Sequence, residues 1–588
     1  MLKVRYQDND QLAEISTSEP SALFSSIRRA CEDRSTGVIN ESGVCFKLPW
    51  WAFLSCRGAI GVILRQHDAE IEFDNEARAR LVAAKRRENS YREAAPTRTL
   101  LPEDVQQQLW AKGFTRRLTP EQLRNVSRIV GLPAAASFSV PGAGKTTEAL
   151  AYYFLRSSDE SQLLVVAPKN AFAAWEEQLQ DCAPSTPLRF TRLVGGFDTI
   201  AQTIRSNPKL ALVTYHQLPN VLDLIARYIS QKPTLMILDE SHRMKRGAEG
   251  VHGRSLLGIC HLPEHKLILS GTPMPNSLSD LVPQFDFLYP EIRATEGDVK
   301  QKIQPIYVRT TKPELRLPPI SSVRVEIPMN PAQQRLYELL RSETARELAD
   351  IRSSDRIAIR KIGRSVMRLL QLVSNPSLLA QADFDRPELL QAILSEGGSP
   401  KMEWVCSRAR TLARLGKKVV IWSGFIDNVE ILAERLRDLG AVFIHGGVEA
   451  GSDADEDTRE QRVRKFHQDP DSMVLVGNPA ACGEGISLHT VCHHAIYLDR
   501  NYNAAQFLQS QDRIHRLGLP PSITTTIEIA FTPGSIDESV DRRLSDKIRL
   551  MSSVLNDPSL NIEPVSVDPD DLSMSERDLD DLRSHLAE

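Results

Sequence analysis

At 588 residues, with 41% hydrophobic and 25% charged positions, the chain is too long for one core and too apolar for wholesale disorder; roughly 100–200 residues per domain predicts three or four folding units. Its formal net charge of −4 argues neither for nor against a nucleic-acid partner, because gripping a polyanion takes only a local basic channel. No apolar run reaches the ~18 residues of a membrane span and the start, MLKVRYQDND, turns polar too early for a secretory leader, so no membrane partner and a cytoplasmic location, or a nuclear one in a eukaryote, are expected.

Residues 1–95 carry a mixed pattern that predicts a small α+β accessory domain. It contains the aromatic run Pro49-Trp50-Trp51, read as a small core, and a charged helix-like stretch over 76–94. From Leu118 a rhythm of short apolar runs and helical patterns appears, the signature of βαβ units around a parallel sheet. Its runs are Leu163–Val166, Leu210–Val213, Leu235–Leu238 and Leu267–Leu269. Residues 115–290 are thus expected to form a first α/β lobe. The pattern over 291–400 is mainly helical and closes on Gly397-Gly398-Ser399-Pro400. The rhythm restarts with Val419–Trp422, Val442–Ile444, Val474–Val476 and Ala495–Leu498, which predicts a second parallel-sheet lobe over 401–555. The remainder, 556–588, is expected to be a tail; within it 563–588 holds nine acidic residues against two arginines.

The eight cysteines form no CxxC pair, so neither a zinc ribbon nor a disulfide framework is implied. Cys492-His493-His494 is read as packing, because adjacent residues leaving a strand point in different directions.

Two motifs carry chemistry. After the apolar stretch Ala134–Phe138 comes Ser139-Val140-Pro141-Gly142-Ala143-Gly144-Lys145-Thr146, followed by a helical pattern from Thr147. Strand, glycine loop and helix are what a polyphosphate needs: backbone N–H groups freed by Gly142 and Gly144, the positive helix end, the Lys145 charge and a Thr146 hydroxyl for magnesium. Pro141 through Thr147 are therefore the nucleotide-binding candidates. Ser139 stands where the strict GxxxxGK[ST] pattern has its first glycine. Second, the apolar run 235–238 ends in Asp239-Glu240-Ser241-His242. Asp239 is placed to hold magnesium through its water shell, and Glu240 to orient and deprotonate an attacking water.

Asp239-Glu240-Ser241-His242-Arg243-Met244-Lys245 resembles the DEAH-type box of Swi/Snf-like ATPases within helicase superfamily two, with Ser241 in place of alanine. The resemblance extends over roughly residues 115–555. By it, Gln122 is the adenine contact, Ala167-Pro168-Lys169-Asn170 with Trp175 touches a nucleic-acid backbone, and Ser270-Gly271-Thr272-Pro273 couples hydrolysis to movement. Tyr307–Lys312, Leu317–Pro319 and Gln333–Tyr337 look like the family's transition into the second lobe, and Ser374-Asn375-Pro376 and Lys401 match its linker. Ile444–Gly447, Arg459, Phe466, Gly483–Leu488 and Gln509–Gly518 follow in the family's order, Gly485 joining the nucleotide contacts. Arg513 and Arg516, three residues apart and expected on one helix face, are the expected arginine fingers, with Gln509 and Asp512 positioned to orient them. Leu519 departs from the family's frequent glutamine and leaves the subfamily open.

The resemblance implies two tandem RecA-like lobes with a helical insertion between them, ATP and Mg2+ as ligands, and duplex DNA tracked without strand separation. A strand-separating DNA or RNA helicase shares every ATPase motif. A non-catalytic scaffold is the third reading; such proteins usually lose the lysine, the glutamate or a finger, and here all are present. Arg356, Arg360, Arg364 and Arg368, four apart, form either a phosphate-binding stripe or a solvated face. The N-terminal domain is a candidate surface for a protein partner.

Overall fold

The computed structural model describes residues 2–32, 38–93, 100–349, 356–381, 386–448, 458–482, 486–520 and 522–557, with the single positions 384 and 560. Gly485 and the acidic stretch 563–588 lie outside them. The chain divides into two compact units, Met1–Glu314 and Leu315–Glu588.

In the first unit, Leu2, Val4 and Tyr6 are buried along the strand Leu2–Gln7 while Lys3 and Arg5 are exposed. That alternation marks a sheet with one covered face. Its order is Ile39–Ser42, Cys45–Pro49, Leu12–Thr17, Leu2–Gln7 and Ile71–Phe73, antiparallel except for the last pair. Trp50 opens the helix Trp50–Gln66 and meets Tyr6 edge-on, with ring centroids 5.0 Å apart. Both tryptophans are buried, so the pair is core and not a recognition surface. Contacts that tie this part of the chain to the rest of the first unit include Tyr6 Oη 2.8 Å from His261 Nε2, Arg87 Nε donating to Glu291 Oε1 at 3.2 Å, and Tyr91 donating to the Lys302 carbonyl at 2.7 Å.

The large sheet of this unit is wholly parallel, in the order Tyr307–Val308, Ala134–Ser137, His265–Leu269, Thr234–Asp239, Gln162–Val166, Leu210–Val213, Phe190–Arg192. Ala134–Ser137, Gln162–Val166 and Leu210–Val213 are buried at every position, as strands covered on both faces must be. In such sheets ligands gather at the carboxyl ends of the strands. The loops after Ser137, Val166, Val213, Asp239 and Leu269 all emerge there.

The second unit holds another parallel sheet, in the order Ile320–Glu326, Thr525–Phe531, His494–Tyr497, Val419–Trp422, Val474–Gly477, Val442–Ile444. Val405, Leu412, Val419, Ile421, Val429, Leu432, Val476 and Ile496 share its core. Two parallel-sheet α/β lobes and a small α+β layer are therefore what the chain forms. Between 291 and 400 the helices Pro331–Ala349, Arg356–Ser374 and Pro387–Ser395 dominate, yet two strands also occur there, Tyr307–Val308 in the large parallel sheet of the first unit and Ile320–Glu326 in the parallel sheet of the second unit. Arg364 is exposed and Arg368 half-buried, while the side chains of Arg356 and Arg360 lie outside the described residues. Cys492 is buried, its thiol turned to the carbonyls of Lys418 and His494, and no cluster of metal-ligating side chains exists among the described residues. Among the same residues no helix is long and apolar enough to cross a membrane.

Candidate functional site

The glycine loop leaves the sheet at Ser137 and turns into the helix Lys145–Arg156, with Gly144 as its N-cap. Gly142 and Gly144 sit at φ of +85° and +83°, which glycine alone adopts without strain. A Cβ on Gly144 would also collide with the Gln122 side-chain amide. That amide donates to the Ala143 carbonyl at 3.2 Å. Gln122 is fixed there by a capping box with Thr119 at the start of the helix Pro120–Ile129. Lys145 Nζ donates to the Ser139 carbonyl at 2.9 Å, and Thr146 is half-exposed. Thr147 is buried, with its hydroxyl donating to Gln178 at 3.0 Å.

Ser139 has a structural use that a glycine would lack. Its Oγ accepts the Thr310 backbone N–H at 3.0 Å, and the Val140 N–H returns a bond of 3.0 Å to the Thr310 carbonyl. Behind it lies a buried polar network that sequence reading did not single out. Asn125 Nδ2 donates to Glu148 at 2.7 Å and to the Thr310 hydroxyl at 2.9 Å, and Ser137 Oγ donates to the other Glu148 oxygen at 2.8 Å. Burial pushes the Glu148 carboxyl up to about 7, against the pull of Asn125, Ser137 and the charges of Lys145 and Arg124.

Asp239 ends its strand with Oδ2 accepting the Trp175 indole N–H at 2.9 Å, and its carbonyl accepts the Tyr215 hydroxyl at 2.7 Å. Glu240 follows at φ +53°, ψ +52°, a left-handed conformation that costs a non-glycine residue roughly 1–3 kcal/mol and clusters at functional sites. Ser241 donates to Gln284 at 2.7 Å, and Gln284 in turn donates to the Pro273 carbonyl at 2.6 Å. His242 Nδ1 lies 3.3 Å from Glu240 Oε2 and 3.1 Å from Ser270 Oγ. Burial first, then Arg243, Lys245 and Lys145, push the His242 pKa down to about 3, so the ring stands neutral beside the Glu240 carboxylate and the approach is not an ion pair. Ser270 also accepts the Thr272 N–H at 3.2 Å. Gly271 packs so closely on the glycine loop that a Cβ would stand 2.8 Å from Pro141 Cδ. Gln122, the loop, the acidic strand end and the Ser270–Pro273 turn are thus gathered at the carboxyl ends of the first unit's large parallel sheet. Lys169 is exposed and Asn170 half-exposed on the loop after Val166.

In the second unit the expectation of a helix through Arg513 and Arg516 needs correction. The helix Ala504–Gln511 stops before them, and both lie in the turns that follow. The physical cause is competition for the backbone. The Arg513 carbonyl accepts the Leu488 N–H at 2.9 Å, and the His515 ring nitrogen Nε2 lies 2.8 Å from the Pro318 carbonyl, so the path is set by tertiary bonds; Pro520 then bars further helix. Arg513 Nη1 donates to the Ile486 carbonyl at 3.0 Å. Burial lowers the Arg516 pKa and Asp512 opposes that fall. Gln509 and Asp512 are themselves buried. Ser374 and Asn375 sit in a polar knot: Ser374 Oγ donates to Asp499 at 2.7 Å and Asn375 to Asn428 at 2.8 Å. Lys401 forms a buried ion pair with Asp537.

Two family models match the chain, the SNF2-related domain over residues 139–303 and the helicase conserved C-terminal domain over residues 401–518. A Bacillus subtilis protein named "Putative ATP-dependent helicase/translocase YwqA" is 26% identical over 450 residues, 70% of this chain and 46% of its own length. Human chromodomain-helicase-DNA-binding protein 6 is 23% identical over 464 residues, 71% of this chain and 16% of its own length. The chain thus spans less than half the length of these relatives. A solved structure of the Sulfolobus solfataricus SWI2/SNF2 ATPase core in complex with dsDNA aligns with 80% of this chain and 97% of its own at 20% identity, with a TM-score of 0.33, a likeness too loose to carry an argument.

Proposed function

The chain belongs to the Swi/Snf-like ATPases of helicase superfamily two, and from that premise we propose that it hydrolyses ATP to translocate on duplex DNA and to displace or remodel what is bound there. The observation that carries the ATPase half lies at the carboxyl ends of the first unit's large parallel sheet: a left-handed glycine loop capping a helix, with Lys145, beside an acidic strand end in the same sheet. Loop N–H groups and Lys145 bind the phosphates, and Gln122, held against the loop, reads the adenine. Glu240 takes the proton of the attacking water, and the neutral His242 ring, bonded to Ser270 Oγ and packed beside Glu240, sets the acidic strand end next to the Ser270–Pro273 turn that responds to the reaction's progress. Thr146 and Asp239 are the residues suited to magnesium, which supplies charge neutralisation of the phosphates when bound. Arg513 and Arg516 match the family's arginine fingers by sequence, and finger arginines stabilise the charge on the phosphoryl group in transfer. The family assignment and the names of its relatives, helicase/translocase and helicase-DNA-binding protein, support the nucleic-acid half.

ATP turnover measured side by side with duplex DNA, single-stranded DNA and RNA tests this reading. Duplex DNA is expected to stimulate most; stimulation by single-stranded RNA alone would overturn the assignment of substrate. Lys145→Ala and Glu240→Gln are expected to lower kcat by about 100-fold or more, and Arg513→Ala or Arg516→Ala by about 1,000-fold, with far-ultraviolet circular dichroism unchanged. Wild-type turnover in the first two variants contradicts the site.

A further inference from the structure

Glu148 is fully buried one turn into the helix after the glycine loop, and the proposed hydrolysis does not use it. Its two oxygens accept from different elements, Asn125 on the Pro120–Ile129 helix at 2.7 Å and Ser137 at the end of the strand at 2.8 Å. Asn125 also reaches the Thr310 hydroxyl at 2.9 Å, and Thr310 is bonded twice to the loop, through Ser139 Oγ and the Val140 N–H. All of these side chains are buried: Asn125, Ser137, Ser139, Glu148 and Thr310. The helix that carries Asn125 also carries Gln122, whose amide holds Ala143. The Pro120–Ile129 helix and the strand end therefore meet at one carboxyl group, and Asn125 joins it to Thr310, which is distant in sequence.

We propose that Glu148 is a positioning residue that locks the start of the phosphate loop, Ser139 and Val140, to Thr310 and so presets the loop for a polyphosphate. The geometry gives Ser139 its reason for replacing glycine: the hydroxyl is the loop's half of that lock. Truncating Glu148 removes the acceptor that Asn125 Nδ2 and the Ser137 hydroxyl share in a buried site, leaving them only the Thr310 and Ser139 hydroxyls, and groups so under-satisfied relax by dragging their neighbours. Glutamine retains an acceptor for Asn125 and offers a donor to Ser137, whose hydroxyl turns towards Ser139. The loop then keeps its position. Nothing in the lock touches a reacting atom, so its loss weakens ATP binding more than the chemical step.

Two readouts on the full chain test the inference, which rests on the ATPase reading only in the second. The first is hydrogen exchange of the Val140 and Thr310 amides without nucleotide. Glu148→Ala and Ser139→Ala are expected to accelerate it about tenfold, and Glu148→Gln to leave it within about twofold. The second is steady-state hydrolysis: Glu148→Ala raises KM for ATP about tenfold with kcat changed less than about threefold, and Glu148→Gln restores KM. If Glu148→Ala does not fold, Ser139→Ala decides by the same amides. Unchanged exchange in Ser139→Ala, or equal impairment by glutamine and alanine at 148, overturns the lock. A wild-type chain without ATP turnover would refute the ATPase reading and leave the exchange result to judge the lock.

Discussion

Gly144 meets two demands that few residues satisfy at once. Its φ of +83° lies where a side chain strains the backbone by ~1–2 kcal/mol, and the space a Cβ would fill is occupied by the Gln122 amide. Gly144→Ala is therefore expected to push Gln122 off the Ala143 carbonyl and raise KM for ATP by about tenfold or more. Steady-state kinetics check it, and a wild-type KM would sink it. This loop and the pair Asp239-Glu240 were legible in the sequence because residue type and spacing are their chemistry. Ser139 was legible only as a missing glycine. Its partner Thr310 lies 171 positions away, and no local pattern announces a bond that only the fold creates. Asn125 and Glu148 were invisible for the same reason, since a buried polar residue inside a helical pattern reads as one more exposed one.

At the scale of elements, apolar runs found the buried strands with their boundaries shifted by a residue or two: Leu163–Val166 became Gln162–Val166, and Leu235–Leu238 became Thr234–Asp239. They missed Ile320–Glu326, an edge strand with most of its side chains exposed, which carries no apolar run. The arginine-bearing turn after Gln511 was mistaken for helix, because spacing cannot show that tertiary partners claim the Arg513 carbonyl and the His515 ring. Lys401 shows how helices are pinned in the second unit. It stands in the first turn of Pro400–Arg414, and its ammonium is paired with Asp537 in the first turn of Ile536–Leu555, with side-chain exposures of 2% and 9%. Removing one partner strands a buried charge, so Lys401→Met is expected to lower unfolding free energy by about 3–5 kcal/mol. Asp537 also accepts the Thr532 N–H at 2.8 Å, so Lys401→Met/Asp537→Asn keeps an acceptor there and is expected to recover most of the loss. Urea unfolding of both variants checks this; a single variant as stable as wild type would show the pair to be dispensable.

For the molecule as a whole, four histidines set the response to acid, His261 buried and His242, His265 and His494 half-buried. Burial is the first cause in each: it pushes His242 down to about 3, His265 and His494 to about 4, and His261 well below its ordinary range. The unfolded chain takes up protons on these rings near pH 6.5, where the folded chain refuses them. Folding is therefore favoured fully above pH 6.5, and that advantage drains away as pH falls towards about 4. Glu148 works in the opposite sense. Its carboxyl is raised to about 7, so its contribution is complete below the ordinary carboxylate range and is lost as pH rises from there to about 7. Four histidines against this carboxyl, with Asp499 also raised by burial, leave the histidines dominant between pH 6.5 and 5. Calorimetry of the full chain is expected to show a lower Tm at pH 5 than at pH 7.5. Replacing His265 and His494 by glutamine should flatten that slope, because glutamine has no proton to gain in the unfolded state, whereas Glu148→Gln should steepen it by removing the opposing group. A Tm that rises towards pH 5 in the wild-type chain would mean that these rings are protonated in the folded state.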